Sequence, residues 1–304
     1  MGAQLRAIRG RIKSIKSTAK ITRAQKLIAT SRVGKARERA RAAEPYVREI
    51  TRAASILVTH HTALTHPILN QQPDTSRVAV LVLTSDRGFC GAFNHDVIRH
   101  TEALGGLLRS QGKEPVFYIA GRRGADWFHF RGREVAREWS GFSGEPHYPI
   151  AAEVGQTLLD TFAMPTREGG VGEVHVIYNR FVSMLRQQVT AHRILPIEIE
   201  EHEREDAPPP GIPEAPFEFE PSAAQVLDAL LGSYVRSRVW FMMLSSAAAE
   251  HAARRAAMTS ATENAEELVE RLVREANDAR QAEITTEITE IVGGAEGLHK
   301  LATM

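Results

Sequence analysis

The chain has 304 residues, of which 43% are hydrophobic, 25% are charged and only 6% are aromatic. This composition excludes a disordered chain and favours long helices over a β-sandwich or barrel. The formal net charge is +1, but residues 1–52 hold 15 Lys and Arg residues against three Asp and Glu residues, so the N-terminal part is basic. The single cysteine, Cys90, excludes an internal disulfide and indicates a reducing compartment.

Residues 3–57 are predicted to form one helix. Apolar and small residues recur along it at steps of three and four, which is the spacing of a coiled-coil seam. Lys26 lies on this stripe and argues against a uniform zipper. The other seam residues are Leu5, Ile8, Ile12, Ile15, Ala19, Thr22, Ala29, Val33, Ala36 and Ala40.

The middle of the chain alternates short β-branched runs with helical patterns. Strands are predicted at 77–85, 115–121 and 173–181, with a further edge strand at 187–196. The helical patterns cover residues 94–111, 122–131 and 150–164. This alternation is typical of an α/β domain with a largely parallel sheet.

An acidic, proline-rich linker at 198–220 is predicted to return the chain to a second long helix. From Pro221 to Val292 there is no proline and only one glycine, so a continuous helix there would be about 105 Å long at about 1.5 Å per residue. Residues 262–300 hold ten Asp and Glu residues against four Lys and Arg residues. The two chain ends are therefore complementary in charge, and we expect them to form an antiparallel coiled coil with the α/β domain inserted at its base.

No apolar run is long enough to cross a bilayer, since "VAVLVLT" (78–84) is far shorter than about 18 residues. The N-terminus also lacks the apolar core of a signal peptide. We expect no direct membrane insertion and no export.

The stretch "TSDRGFCGAFN" (84–94) follows a predicted strand and leads into a helix, where glycine-rich loops bind phosphates. Its glycines, Gly88 and Gly91, do not fit a dinucleotide fingerprint, and no P-loop is present. Cys90 in this loop could be a nucleophile, but no spacing selects a base for it, and a small buried turn residue is the simpler interpretation. We therefore predict no catalytic residue and no cofactor, while a stand-alone nucleotide-binding α/β enzyme with helical arms stays open as an alternative.

Two further binding classes are disfavoured. His60, His61 and His66 cluster without a carboxylate companion, so we predict no metal site. The basic arm, residues 1–45, has no aromatic residue for base stacking and carries a complete apolar seam, so we predict no nucleic-acid partner.

Three stretches carry a resemblance to a known family. They are "IRGRIKSIKSTAKITRAQKLIATSR" (8–32), the loop "TSDRGFCGAFN" (84–94) and "ARQAEITTEITEIVGGAEGL" (279–298). In this order, they are similar to the N-terminal shaft helix, the Ser-Asp-Arg-Gly loop and the C-terminal signature of the gamma subunit of the bacterial F-type (rotary) ATP synthase. The resemblance extends over essentially the whole chain.

The resemblance implies a non-catalytic rotor shaft. In the family, the coiled coil enters a ring of three α and three β subunits, and its rotation couples proton-driven turning of the membrane ring to the conformational cycle of that catalytic ring. The foot, a Rossmann-like α/β domain, contacts the epsilon subunit and the c-ring. The implied location is the cytoplasmic side of the bacterial plasma membrane, as a peripheral subunit.

The same resemblance implies the rotor–stator contacts. Arg280 and Gln281 correspond to family positions that hydrogen-bond a β-subunit loop, and Lys20, Arg23 and Gln25 lie in the N-terminal match, where many relatives have methionine in place of Gln25. Near the C-terminus, an apolar stripe should face either the N-terminal helix or a bearing, and packing within the coil is expected for most of it. This stripe consists of Ile284, Ile288 and Ile291.

The predicted domain division has four parts. Residues 1–60 form the N-terminal coiled-coil helix, 74–197 the inserted α/β domain, 198–220 the linker and 221–304 the C-terminal coiled-coil helix.

Overall fold

The structure is a computed structural model that describes residues 2–60, 75–196 and 223–302. Its elements follow the predicted order, with the long helix α1 (Gly2–His60) first and the 80-residue helix α5 (Ala223–Ala302) last. The linker at 198–220 and the histidines at 61 and 66 lie outside the described residues. Within those residues, no helix is long and apolar enough to span a membrane.

In chain order, an α/β layer structure follows α1 and precedes α5. Its strands are β1 (Arg77–Leu83), β2 (Glu114–Ala120), β3 (Arg137–Trp139), β4 (Glu173–Phe181) and β5 (Gln187–Leu195). Its helices are α2 (Phe93–Ser110), α3 (Arg122–Phe130) and α4 (Tyr148–Ala163), followed by a 3-10 turn at Thr166–Glu168. The three-residue β3 is missing from the prediction because it is too short to show a periodic pattern.

The five strands form one sheet in the order β3-β2-β1-β4-β5. The first four pair in parallel, and β5 pairs antiparallel with β4 at the edge. The prediction of a largely parallel sheet with an added edge strand is confirmed.

Strand β1 is buried on both faces because helices cover both sides of the sheet. Its side chains alternate between the faces. Val78, Val80 and Val82 pack into a core with residues of α2 and α3. Ala79, Leu81 and Leu83 pack into a second core with residues of α4 and α5.

The contacts within the chain define two units: Met1–Ile28 with Arg255–Met304, and Ala29–Arg254. The first unit contains only parts of α1 and α5. The second contains the sheet together with the remaining parts of both long helices. The predicted four-part domain division stays a prediction.

Candidate interaction surface of the helical pair

In the first unit, α1 and α5 pack against each other in opposite directions. Leu5 and Ile8 form a core cluster with Leu272 and Ala276, while Thr22 contacts Thr262. Residue numbers therefore rise along α1 as they fall along α5, which makes the pair antiparallel. The predicted antiparallel coiled coil is confirmed here.

Burial along α1 follows the predicted seam. The buried residues between positions 4 and 36 are all seam members, namely Leu5, Ile8, Ala19, Thr22, Ala29, Val33 and Ala36. Ile12, Ile15 and Lys26 are half-buried. Beyond the predicted stripe, the spacing continues through Ala43, Val47, Ile50 and Ala54. A strict alternation of steps of three and four is the repeat of a left-handed coiled coil.

The outer side of α1 carries the predicted N-terminal contact residues. Lys20 and Gln25 are exposed, and Arg23 is exposed while pairing with Glu266 across the two helices. Apolar side chains lie among them off the seam: Ile21 is 60% and Leu27 is 67% exposed. These two side chains stay exposed because the seam of α1 that faces α5 is formed by other residues.

The C-terminal contact residues lie on the exposed surface of α5. Arg280 and Gln281 are both exposed. Ile284, Ile288 and Ile291 are 44%, 55% and 65% exposed, so the expectation that this stripe packs mostly within the coil is wrong. The cluster that joins the first turns of α1 to α5 reaches only Ala279, and the stripe lies beyond it.

The loop "TSDRGFCGAFN" lies at the carboxyl edge of the sheet and is held by Asp86. The carboxylate of Asp86 accepts hydrogen bonds from the backbone N–H groups of Arg122, at 3.0 Å, and Ser143, at 2.8 Å. Burial alone would raise the pKa of Asp86, but these bonds and others from Gly141 and the Ser143 hydroxyl outweigh burial and hold the pKa below its usual value. Asp86 thus ties together the three loops that follow β1, β2 and β3.

Three side chains of α5 close over the same loops. Arg254 donates to the carbonyl oxygen of Arg87, at 2.9 Å, and to the Glu250 carboxylate, at 2.8 Å. His251 donates from Nε2 to the carbonyl oxygen of Gly144 at 2.8 Å. Burial lowers the pKa of His251 to about 4 and raises the pKa of Glu250. This α5 clamp, formed by Glu250, His251 and Arg254, joins the helix to the sheet.

The part of the chain that the structure describes offers no support for the nucleotide-binding alternative. Ligands of open α/β sheets bind beyond the carboxyl ends of the strands, where the strand order reverses, which here is beside β1. That edge is covered by α5: Met243 and Ser246 line the narrow crevice together with Leu83, Thr84, Ala120, Phe142, Ser143 and Pro146.

Cys90 is 2% exposed and packs with Phe93 and Ala249. Burial raises its thiol pKa, which makes a nucleophilic thiolate less available. These contacts support the interpretation of Cys90 as a small buried turn residue. Within the described ranges, no group of three or more His, Cys, Asp and Glu side chains is arranged to hold a metal ion.

Comparison with known proteins decides the family. The family model described as ATP synthase matches residues 4–298. The ATP synthase gamma chains of Thermobifida fusca (strain YX) and Acidothermus cellulolyticus are 50% and 51% identical over 298 residues, covering 98% of this chain and 97% and 98% of theirs. The chain belongs to the ATP synthase gamma chain family.

Solved structures agree with the gamma chain fold. The rotor of the Euglena gracilis mitochondrial ATP synthase in rotational state 1 has a TM-score of 0.64 at 16% identity, covering 93% of this chain and all of that one. A chain of the same enzyme in rotational state 3 has a TM-score of 0.66 at 15% identity, covering 100% of this chain and 97% of that one. At these identities the likeness concerns the fold, a mixed sheet between two long helices.

Sequence reasoning missed the α5 clamp of this gamma chain. In "AAAEHAARRAA" the charged residues resemble a solvated helix face. The alanines on both sides of these charged residues could have indicated their burial, because alanine lets a neighbouring backbone approach closely.

Proposed function

We propose that this chain is the central rotor shaft of an F-type ATP synthase. In that role it couples proton-driven rotation of the membrane ring to the conformational cycle of the catalytic ring of α and β subunits. Gamma chains about 50% identical to it over nearly its whole length carry the proposal. The fold likeness to chains described as a rotor and as a central stalk with c-ring supports it.

The helical pair suits transmission of torque. A seam of interlocking side chains makes two helices bend and twist together, so the pair is stiffer than one helix. The outer surface is asymmetric, because exposed isoleucines and leucines occupy some positions and charged residues others. A rotating asymmetric surface contacts three identical neighbours differently, and differential contact is what shifts each neighbour between its conformations.

The predicted contact residues take specific roles in this proposal. Lys20, Arg23 and Gln25 on α1, and Arg280 and Gln281 on α5, contact the α and β subunits through hydrogen bonds and ion pairs. Ile284, Ile288 and Ile291 lie beyond the last α1 contact, and their exposed side chains form the apolar surface that turns against the ring. Their exposure in the isolated chain supports this assignment.

The chain itself carries out no bond chemistry in this proposal. It is a peripheral subunit on the cytoplasmic side of a bacterial plasma membrane, with the epsilon subunit and the c-ring as partners of its α/β domain. The corresponding division is 1–60 and 221–304 for the shaft, 74–197 for the foot and 198–220 for the linker.

A pull-down tests the proposal. The tagged chain is expressed in its source cells, and its complex is released from membranes in mild detergent and assayed for ATP hydrolysis and subunit ratio. We expect two larger subunits, each in threefold excess over the chain, together with ATPase activity. A chain that carries the same tag but lacks residues 277–304 should recover less of the α and β subunits and less ATPase activity. Recovery of the tagged chain alone, or with its own bound nucleotide, would contradict the proposal.

A further inference from the structure

One pair of polar side chains interrupts the apolar seam of the helical pair. Thr22 of α1 and Thr262 of α5 are 9% and 7% exposed, and their hydroxyl oxygens are 2.7 Å apart. The 240 residues between them in sequence make this a contact between the two arms of the shaft.

The two hydroxyl groups satisfy each other without leaving a polar atom unpaired. The Thr262 hydroxyl lies 2.7 Å from the carbonyl oxygen of Met258, and the Thr22 hydroxyl lies 3.1 Å from that of Ala19. Each hydroxyl has one proton, so one threonine donates to the other and the second donates to its own helix. The two hydroxyl groups thus form a short series of hydrogen bonds that ends on a backbone carbonyl oxygen.

The apolar part of the seam does not define its own register. Ile8, Ile12 and Ile15 face Leu268 and Leu272, and these side chains are similar in size. A shift of α5 by four residues would again place isoleucines against leucines, with Ile8 opposite Leu272 and Ile12 opposite Leu268. Apolar seams of this kind tolerate alternative registers, whereas a single buried polar contact selects one.

Only the observed register joins the two threonines. A shift to the next buried position of α5, three or four residues away, places Thr22 opposite Ala265 or Met258, neither of which has a side-chain hydroxyl. A shift of seven also separates Arg23 from Glu266, the exposed ion pair beside the threonines. Every shifted register therefore loses the buried hydrogen bond between the helices.

We infer that Thr22 and Thr262 form a register pin that fixes how far α5 is displaced along α1. The inference deepens the proposed rotor function, on which its functional part rests. Lys20, Arg23 and Gln25 lie on one helix, and Arg280 and Gln281 lie on the other. Their relative height depends on the register, because each residue of slip displaces one set by about 1.5 Å. The two threonines are thus positioning residues for the contact surface.

Distance measurement between two spin labels tests the register. The full chain carries labels at Lys13→Cys and Ser260→Cys, both exposed positions, in a background with Cys90→Ser. The residue that Lys13 faces on α5 is far from Ser260 along the helix, so axial slip changes the distance between the labels directly. We expect one distance in the labelled parent and a second population, displaced by about 5 Å or more, in T22V/T262V.

Two matched variants control for the change of side chain. T18V/T259V removes the same group from the same helices, where each hydroxyl bonds only the carbonyl four residues earlier. T22S/T262S keeps both hydroxyls at the pin. We expect one distance in both controls, and a single unchanged distance in T22V/T262V would overturn the register pin.

A second readout separates the register from the proposed function. In inverted membrane vesicles that contain the intact complex, we expect T22V/T262V to lower proton pumping per ATP hydrolysed at least twofold, with T18V/T259V unchanged. A second distance population without a change in this ratio would overturn the positioning role and leave the pin itself standing. If the wild-type chain supports no pumping, the proposed function fails while the label distances still decide the register.

Discussion

At the scale of single residues, the α5 clamp shows how charged side chains become structural. Glu250 and Arg254 are 3% and 10% exposed and pair at 2.8 Å, four residues apart on one helix. Their burial depends on loops 85–91 and 140–145, more than 100 residues away in sequence. Local pattern alone could not reveal it, since the same spacing occurs on exposed helix faces.

Removal of Arg254 should destabilise the fold strongly. R254A leaves the buried Glu250 carboxylate without its partner and the carbonyl of Arg87 without its donor, so we expect a loss of about 3 kcal/mol in the free energy of unfolding. Urea unfolding of the full chain measures this. R255A, at the neighbouring half-buried arginine, should cost much less. The apolar pair E250L/R254M should recover part of the loss. An equal loss in R254A and in E250L/R254M would contradict an ion-pair role.

His251 should make stability depend on pH. Its pKa in the folded chain is about 4, below its ordinary value of 6.5, because burial favours the neutral ring. The unfolded chain therefore binds the proton more tightly, so stability is complete above pH 6.5 and falls as the pH decreases towards 4. Between pH 7 and pH 5 we expect a loss of about 2 kcal/mol.

Unfolding of H251Q at both pH values provides the comparison. The variant should lose less stability than the wild type between pH 7 and pH 5. H95Q, at an exposed histidine of α2, should retain the wild-type slope. The same slope in H251Q as in the wild type would assign the pH dependence to other groups.

At the scale of elements, most of the fold could be predicted because its patterns are strong. The seam of α1 repeats over many turns, and β1 is a continuous run of β-branched and aliphatic residues. The exposure of Ile284, Ile288 and Ile291 could not be predicted, because periodicity identifies an apolar face without saying where the partner helix ends.

Close packing of α4 against α5 gives a prediction at this scale. A Cβ added at Gly155 would lie 3.0 Å from the Cα of Arg236 on α5, so G155A must separate the two helices. We expect a loss of about 1–3 kcal/mol in stability.

Gly106 of α2 provides the opposite case. No atom lies within 4 Å of the position that its Cβ would occupy. G106A should therefore stabilise the chain by about 0.5–1 kcal/mol, because alanine favours the helix. Thermal or urea unfolding distinguishes the two variants, and equal effects would show that packing between α4 and α5 does not limit residue 155.

At the scale of the whole molecule, the proposed rotor needs an apolar end that contacts the ring without being part of the coil. The triple variant I284S/I288S/I291S removes this surface. Burial of each half-exposed isoleucine on binding would contribute about 1 kcal/mol to the free energy of binding. We therefore expect the affinity of the serine variant for the catalytic ring to fall at least about tenfold. The conservative set I284L/I288L/I291L should bind as the wild type does. Unchanged affinity of the serine variant would place the contact elsewhere.

The central claim, that this chain turns inside a catalytic ring, is tested most directly by observing rotation. The ring of the purified complex is fixed to a glass surface, and a bead is attached through Leu107→Cys, an exposed position of α2, in a Cys90→Ser background. On addition of ATP we predict rotation of the bead in one direction, with three equally spaced pauses per turn. A complex that hydrolyses ATP with this chain bound while the bead stays still would contradict the account.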